Sequence, residues 1–165
     1  MKSLAVAFTG PSDSGKTTLV IKVATLLKKE YALAIIKNDP SDKAVFDVEG
    51  KDSWKFSQTG AEVVITSPTR TTLFSQRQKS LDDIIAMLGE FDFLLVEGLK
   101  NLPLPRIAIF RNKLDESYFE YCDAIAMDES INPKDYTIPS HIALLDLNDP
   151  EAVVAWIHQN AKKVK

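Results

Sequence analysis

The sequence predicts a single α/β domain in which a mostly parallel β-sheet is flanked by helices. Short, continuous apolar runs at residues 4–9, 31–37 and 91–96 read as strands covered on both faces, since a strand with one wet face alternates apolar and polar residues. Between the first two, Leu19, Val20, Val23, Ala24, Leu26 and Leu27 recur at helical spacing opposite Lys22, Lys28 and Lys29, an amphipathic helix of roughly three to four turns. Strand, loop, helix and strand at this length form a βαβ unit, whose crossover makes the strands parallel.

The remaining segments extend the same pattern. Residues 38–50 are polar and turn-rich and read as a surface loop, 51–58 as a short helix, and 62–66 with 71–74 as a hairpin. Residues 80–88 are helical, with Ser80 at the N-cap and Asp82 and Asp83 in the first turn, where negative charge meets the positive end of the helix. The third buried run leads into Glu97-Gly98. The prolines of Leu102-Pro103-Leu104-Pro105 exclude a central strand there, because proline has no ladder donor. Residues 106–110, 123–127 and 141–145 supply further strands. Asp149-Pro150 opens a last helix whose apolar face is Val153, Val154, Ile157 and Ala161. No repeat, low-complexity tract or linker interrupts residues 1–165, so one domain is expected.

A chain of 165 residues is long enough for its own hydrophobic core. A net charge of −3 and a pI near 5.4 argue against a general affinity for nucleic acid or for an anionic membrane, both of which favour basic surfaces. Cys122 is the single cysteine, so no intrachain disulfide forms, which suits a reducing compartment. Beside Tyr121 and Ala124 it reads as a small buried hydrophobe. The opening apolar run is too short for a secretory leader and ends in a glycine loop. No stretch approaches the ~20 apolar residues of a membrane span, so a cytoplasmic protein is expected.

Chemistry concentrates after the first strand. Gly10-Pro11-Ser12-Asp13-Ser14-Gly15-Lys16-Thr17 matches G-x-x-x-x-G-K-[ST] in full, between a buried strand and an amphipathic helix as a phosphate loop requires. Gly10 and Gly15 let the chain turn sharply and bring N–H groups close to phosphate oxygens. Those N–H groups and the positive end of the following helix make an anion-binding nest. Lys16 reaches the β- and γ-phosphates, Thr17 offers a hydroxyl to Mg²⁺, and Thr18 touches the α-phosphate. The fold class is thus that of P-loop nucleoside triphosphatases.

Such a site needs a carboxylate at the end of a buried strand to hold the metal's water shell. Asp92 is at the wrong end of its strand and reads as a cap at the strand's entry. Glu97 is at the carboxyl end, where ligands bind in open α/β sheets, and takes the metal-side role, the alternative being a solvated loop glutamate. Asp39 closes the second strand; it either holds or orients a water at the metal or the γ-phosphate, or is a turn aspartate before Pro40. Asp42 and Asp47 in the same loop are weaker candidates, and Lys51 and Asp52 after Gly50 either close over the phosphates or begin a solvated helix. Asn112-Lys113-Leu114-Asp115 spells N-K-x-D after a strand, either a guanine reader or a polar turn. His141 and His158 stand alone, without a metal-ligand partner at suitable spacing. Trp54 and Trp156 read as packing groups on helices.

Four stretches together give a resemblance that spans nearly the whole chain. They are Gly10 to Thr18; Asp47-Val48-Glu49-Gly50-Lys51-Asp52-Ser53 running on to Thr59-Gly60-Ala61; Leu95-Val96-Glu97-Gly98-Leu99-Lys100 leading to Pro105-Arg106-Ile107; and Leu144-Leu145-Asp146-Leu147-Asn148-Asp149. The chain resembles the MobB family, the molybdopterin-guanine dinucleotide biosynthesis adapter proteins. The resemblance implies a homodimer that binds GTP with Mg²⁺, hydrolyses it slowly if at all, and works beside MobA-like guanylyltransferase and molybdopterin-carrying proteins. One departure is visible: many members carry histidines just after the second strand, where this chain has Asn38, Asp39 and Pro40.

Two other readings compete. A small-molecule kinase of the P-loop class would transfer the γ-phosphate of ATP under an arginine-bearing lid, and the chain has only Arg70, Arg77, Arg106 and Arg111, with no arginine-rich segment. A metal-chaperone GTPase would carry a histidine- or cysteine-rich tract, and none is present. With no glutamine or arginine finger legible, slow turnover is expected, Lys16 and Mg²⁺ offsetting charge and Asp39 or Glu97 positioning water or metal.

Overall fold

A computed structural model describes residues 2–165, which fall into two compact units: the chain up to Asn38 together with Glu90–Lys165, and Asp39–Gly89. In chain order the elements are β1 (Leu4–Thr9), α1 (Lys16–Leu27), β2 (Leu33–Lys37), α2 (Asp52–Ser57), β3 (Val63–Thr66), β4 (Thr71–Phe74), α3 (Leu81–Met87), β5 (Phe93–Glu97), β6 (Arg106–Phe110), β7 (Ala124–Met127), β8 (Ala143–Asp146), α4 (Pro150–Asn160) and β9 (Lys162–Lys163).

The first unit holds a seven-stranded sheet: six strands run in the order β2-β5-β1-β6-β7-β8, every neighbour parallel, and β9 pairs with β1 off that path. The predicted α/β class with a mostly parallel sheet is the one observed. The chain runs from β1 outward to β2 on one side, returns through β5, and then crosses β1 to place β6 on the other. The carboxyl end of β1 is therefore a topological switch point, where an open α/β sheet leaves a crevice for ligands.

The first βαβ unit is parallel, but its strands are not neighbours: Phe93 of β5 pairs with both Leu4 and Leu33. Inserting β5 pushes β2 to the edge of the sheet, which corrects the expectation of a strand buried on both faces. Ile35 is 49% exposed, and regular pairing begins only at Leu33. Asp92 is the entry cap expected of it, its carboxylate accepting from the backbone N–H groups of Lys2 and Ala32. The two-residue β9 has no apolar pattern to announce it. It pairs antiparallel with Leu4 and Ala5, the part of that β1 edge left open because β6 joins only at Ala7.

Alternation along β6 separates two cores. Ile107 and Ile109 meet Leu19, Val23 and Leu27 of α1 and Val153 and Ile157 of α4 on one face. Ala108 and Phe110 meet Leu114, Tyr118, Cys122 and Ile142 on the other, where 3-10 turns and loops take the place of a helix. At the start of α4, Asp149 accepts from the N–H of Ala152 and Pro150 occupies the first turn. His158 packs its ring against Tyr31 and Phe93, a structural use.

Arg106 is the largest side chain that is fully buried, 1% exposed. Its guanidinium donates to the carbonyls of Gly98 at 2.8 Å and Leu99 at 2.7 Å. Burial draws its pKa below the usual arginine value, with the Asp123 carboxylate acting against that. The three carbonyls within its reach, including Leu102, belong to the turn that follows Glu97, so a buried charge fixes the exit of β5.

The second unit contains α2, the antiparallel β3–β4 hairpin and α3. Ser80 caps α3 in a capping box with Asp83. Few of its apolar side chains are covered: Val45, Phe46, Val48, Phe56 and Val64 are all more than half exposed. No helix among the described residues is long and apolar enough to cross a membrane.

Burial pushes the Cys122 thiol up to about 11, with the neighbouring Asp123 carboxylate adding to the effect. A native thiol that keeps its proton adds stability that is fully present below the ordinary thiol value near 8.5 and is lost as pH rises through about 11. Native protein at pH 8 is therefore expected to resist a thiol-reactive chromophore that labels the urea-unfolded chain at once. Stoichiometric labelling of the native protein at the unfolded rate would contradict this placement.

Candidate functional site

The loop Gly10–Gly15 leaves β1 at the switch point and turns into α1. Gly10 has φ of 150° and Gly15 of 90°, values that side chains rarely tolerate. A Cβ on Gly10 would lie 2.5 Å from the carbonyl oxygen of Ile109, so the β6 backbone closes on the loop as only glycine permits. Asp13, at φ 61°, completes the tight path. The first helix has no side-chain cap at Gly15, which leaves its leading N–H groups directed at the crevice. The Ser14 hydroxyl is buried without a hydrogen-bond partner, while Thr17 and Thr18 are exposed.

Lys16 opens α1 and turns back over the loop. Its ammonium donates to the Gly10 carbonyl at 3.1 Å and lies 3.3 Å from Glu97 Oε1. Glu97, 13% exposed, is held on its other oxygen by Lys37 at 2.6 Å. Lys37 is 69% exposed, so solvent screens that contact, and the pair with Lys16 is the better sheltered of the two. Glu97 stands opposite Phe8 in the β5–β1 register, one strand across from the loop.

A cavity of about 320 Å³ lies against the loop, lined by Pro11, Asp13, Gly15, the first residues of α1 and Arg111. N–H groups, an ammonium, hydroxyls and one orphaned buried hydroxyl form a donor set that fits a polyphosphate. No group of three or more His, Cys, Asp or Glu able to hold a metal occurs among the described residues. A divalent ion at Thr17 and Glu97 would accordingly be completed by phosphate oxygens and water, the habit of Mg²⁺.

The structure thus gathers Gly10 to Thr18 and Glu97 into one place. Asp39 belongs to the second unit, where its carboxylate accepts from the N–H groups of Lys43 and Ala44 in a tight turn. Asp47 accepts from Val48 and Ser53, and Lys51 and Asp52 begin α2. Asn112-Lys113-Leu114-Asp115 is used as a polar turn: Leu114 is buried, and Asp115 caps the 3-10 turn Glu116–Tyr118 by accepting from Ser117. Arg111 escaped sequence reasoning because a lone arginine after a strand carries no motif. It follows β6 at the carboxyl edge, with Nε 3.3 Å from Asp128 Oδ2 and its guanidinium on Gly15. Hydrogen bonds from Ser130 hold the Asp128 carboxyl below its ordinary range, with Arg111 adding to the effect.

The chain is similar to known proteins in both sequence and fold. Residues 5–128 match the family model for MobB, described as molybdopterin guanine dinucleotide synthesis protein B. A molybdopterin-guanine dinucleotide biosynthesis adapter protein of Haemophilus influenzae is 30% identical over 166 aligned positions, covering 93% of this chain and 89% of that protein. The crystal structure of Bacillus subtilis MobB superposes with a TM-score of 0.76 at 23% identity, covering 95% of this chain and 98% of that one. A crystal structure of molybdopterin-guanine biosynthesis protein B gives 0.68 at 23% identity, covering 94% and 99%. These two structural likenesses speak to the fold, and the family match to descent: the chain belongs to the MobB family.

Proposed function

We propose that this protein is a GTP-binding adapter in the synthesis of molybdopterin-guanine dinucleotide, acting in the cytoplasm beside a MobA-like guanylyltransferase and molybdopterin-carrying proteins. The observation that carries the reading is the loop at Gly10–Thr18, with Lys16 held at its mouth, in a member of this family. The relative from Haemophilus influenzae carries the name of adapter protein.

On binding, the ammonium of Lys16 exchanges the Gly10 carbonyl and Glu97 for β- and γ-phosphate oxygens, keeping a charge-assisted partner throughout. The N–H groups of the loop take the oxygens nearer the nucleoside, and Thr18 the α-phosphate. Thr17 and Glu97 would hold the magnesium shell, and the ion when bound screens phosphate charge. Asp39 is a further candidate for positioning water, on the strength of its place just after β2. Release of Lys16 leaves Glu97 paired with Lys37, so the carboxylate keeps a positive neighbour. The exposed apolar residues of the second unit, Val45 and Phe46 foremost, support homodimerisation or capture of the partner enzyme.

Calorimetric titration with Mg²⁺ present is expected to show GTP bound in preference to ATP. The Lys16→Ala variant is expected to lose about 100-fold or more in GTP affinity, roughly 2.7 kcal/mol, with its fold kept by circular dichroism. Unchanged affinity in that variant would remove the loop from the account. Single-turnover hydrolysis by the isolated protein is expected to stay below about one per second, the lower end for efficient phosphoryl-transfer enzymes. A faster rate, or transfer of the γ-phosphate to a small acceptor, would point to a kinase instead.

A further inference from the structure

Arg111 has no part in the reading above, yet the fold builds a mount for it. The strand β1 runs between β5 and β6, so Glu97 and Arg111 flank the loop from opposite sides. A Cβ on Gly15 would lie 3.2 Å from Arg111 Cζ, 3.2 Å from Nε and 3.3 Å from Nη2. Near-equal distances to three atoms of one flat group put that point over its face and not at its edge. One face of the guanidinium is therefore laid on Gly15, a contact that any side chain at this position would crowd.

The plane is also fixed at its edge. Nε meets Asp128, whose carboxylate accepts from the backbone N–H and the hydroxyl of Ser130. The Ser130 hydroxyl in turn accepts from the Asn112 N–H at 2.7 Å, which ties the mount back to the residue following Arg111. Held this way, the side chain still keeps 41% of its surface exposed and lines the cavity with Thr17 and Thr18.

We propose that Arg111 seats the nucleoside end of the bound nucleotide, the outer face of its guanidinium stacking on the base. The inference rests on reading the loop as a nucleotide site. In a phosphate loop the lysine takes the β- and γ-phosphates and the backbone the α- and β-phosphates. The terminal phosphate therefore lies on the Lys16–Glu97 flank, and the nucleoside leads away from it, toward Arg111. A guanidinium already paired with Asp128 has part of its charge answered, which weakens it as a phosphate clamp and leaves its flat face available. Pinning the plane beforehand reduces the freedom lost on binding.

The test is titration of the full-length protein with GTP, GDP and inorganic tripolyphosphate, each with Mg²⁺, comparing wild type with Arg111→Ala and Arg111→Lys. The variants are expected to lose about 10- to 100-fold in affinity for GTP and GDP alike, the scale of one base stack. Tripolyphosphate, which has no base, is expected to bind wild type and variants equally. Lysine keeps the charge without the plane, so Arg111→Lys is expected to behave as Arg111→Ala. Loss confined to GTP, equal loss for tripolyphosphate, or full retention in Arg111→Lys would each overturn the proposal. Wild-type protein that binds none of the three probes contradicts the loop reading and this inference with it; wild type that binds GTP and GDP while Arg111→Ala is unaltered contradicts the role of Arg111 alone.

Discussion

The carboxyl edge of the sheet is organised around one approach of backbone to backbone, that of Ile109 to Gly10. Because β6 comes so close, the chain leaving β1 has no room for a side chain and must turn at once. The turn sends the N–H groups at the start of α1 into the crevice and folds Lys16 back over the loop. An ammonium placed over a ring of carbonyl and N–H dipoles needs an anion, and Glu97 at the end of the neighbouring strand supplies it. The arrangement is a closed circuit of charge that a polyphosphate can enter by replacing the carboxylate at Lys16, without leaving any ionised group unpaired.

Around that circuit the fold spends buried charge on geometry. Arg106 sits in the core with its guanidinium bonded to the carbonyls just beyond Glu97, which ties down the turn that follows the carboxylate. Asp123 accepts from the Arg106 backbone and ties the base of β6 to the entry of β7. Arg111 and Asp128 repeat the device at the other end of the same two strands, this time at the surface. Arg106 and Arg111, one opening β6 and the other just past its end, thereby set the two flanks of a site to which neither contributes a recognisable motif.

How much of this the sequence discloses depends on whether the signal is local. The glycine loop between β1 and α1, the caps at Ser80 and Asp149, and the buried run ending in Glu97 are local patterns, and each lies where the sequence pattern puts it. Strand order is not local. Nothing in residues 31–37 says that β5 will insert beside β1, so the edge position of β2 and the exposure of Ile35 became visible only in three dimensions. The lysine pair of β9 carries no alternation, since its pairing partner is a short stretch of backbone left bare by register. Arg111 is legible only through its distance to Gly15, which lies nearly a hundred positions earlier. Asp39 follows β2 directly, and the N–H groups of Lys43 and Ala44 that bond its carboxylate, four and five positions on, carry no sequence signal of their own.

The central claim is that the bare N–H groups of the loop and the first turn of α1 grip a polyphosphate. Hydrogen–deuterium exchange of the backbone, read residue by residue with and without Mg²⁺ and GTP, tests it most directly. The expected result is slower exchange at residues 13–18 when nucleotide is added, beyond any general stabilisation of the core strands. Exchange at those positions that is unaltered at saturating nucleotide, with protection appearing elsewhere, would contradict it.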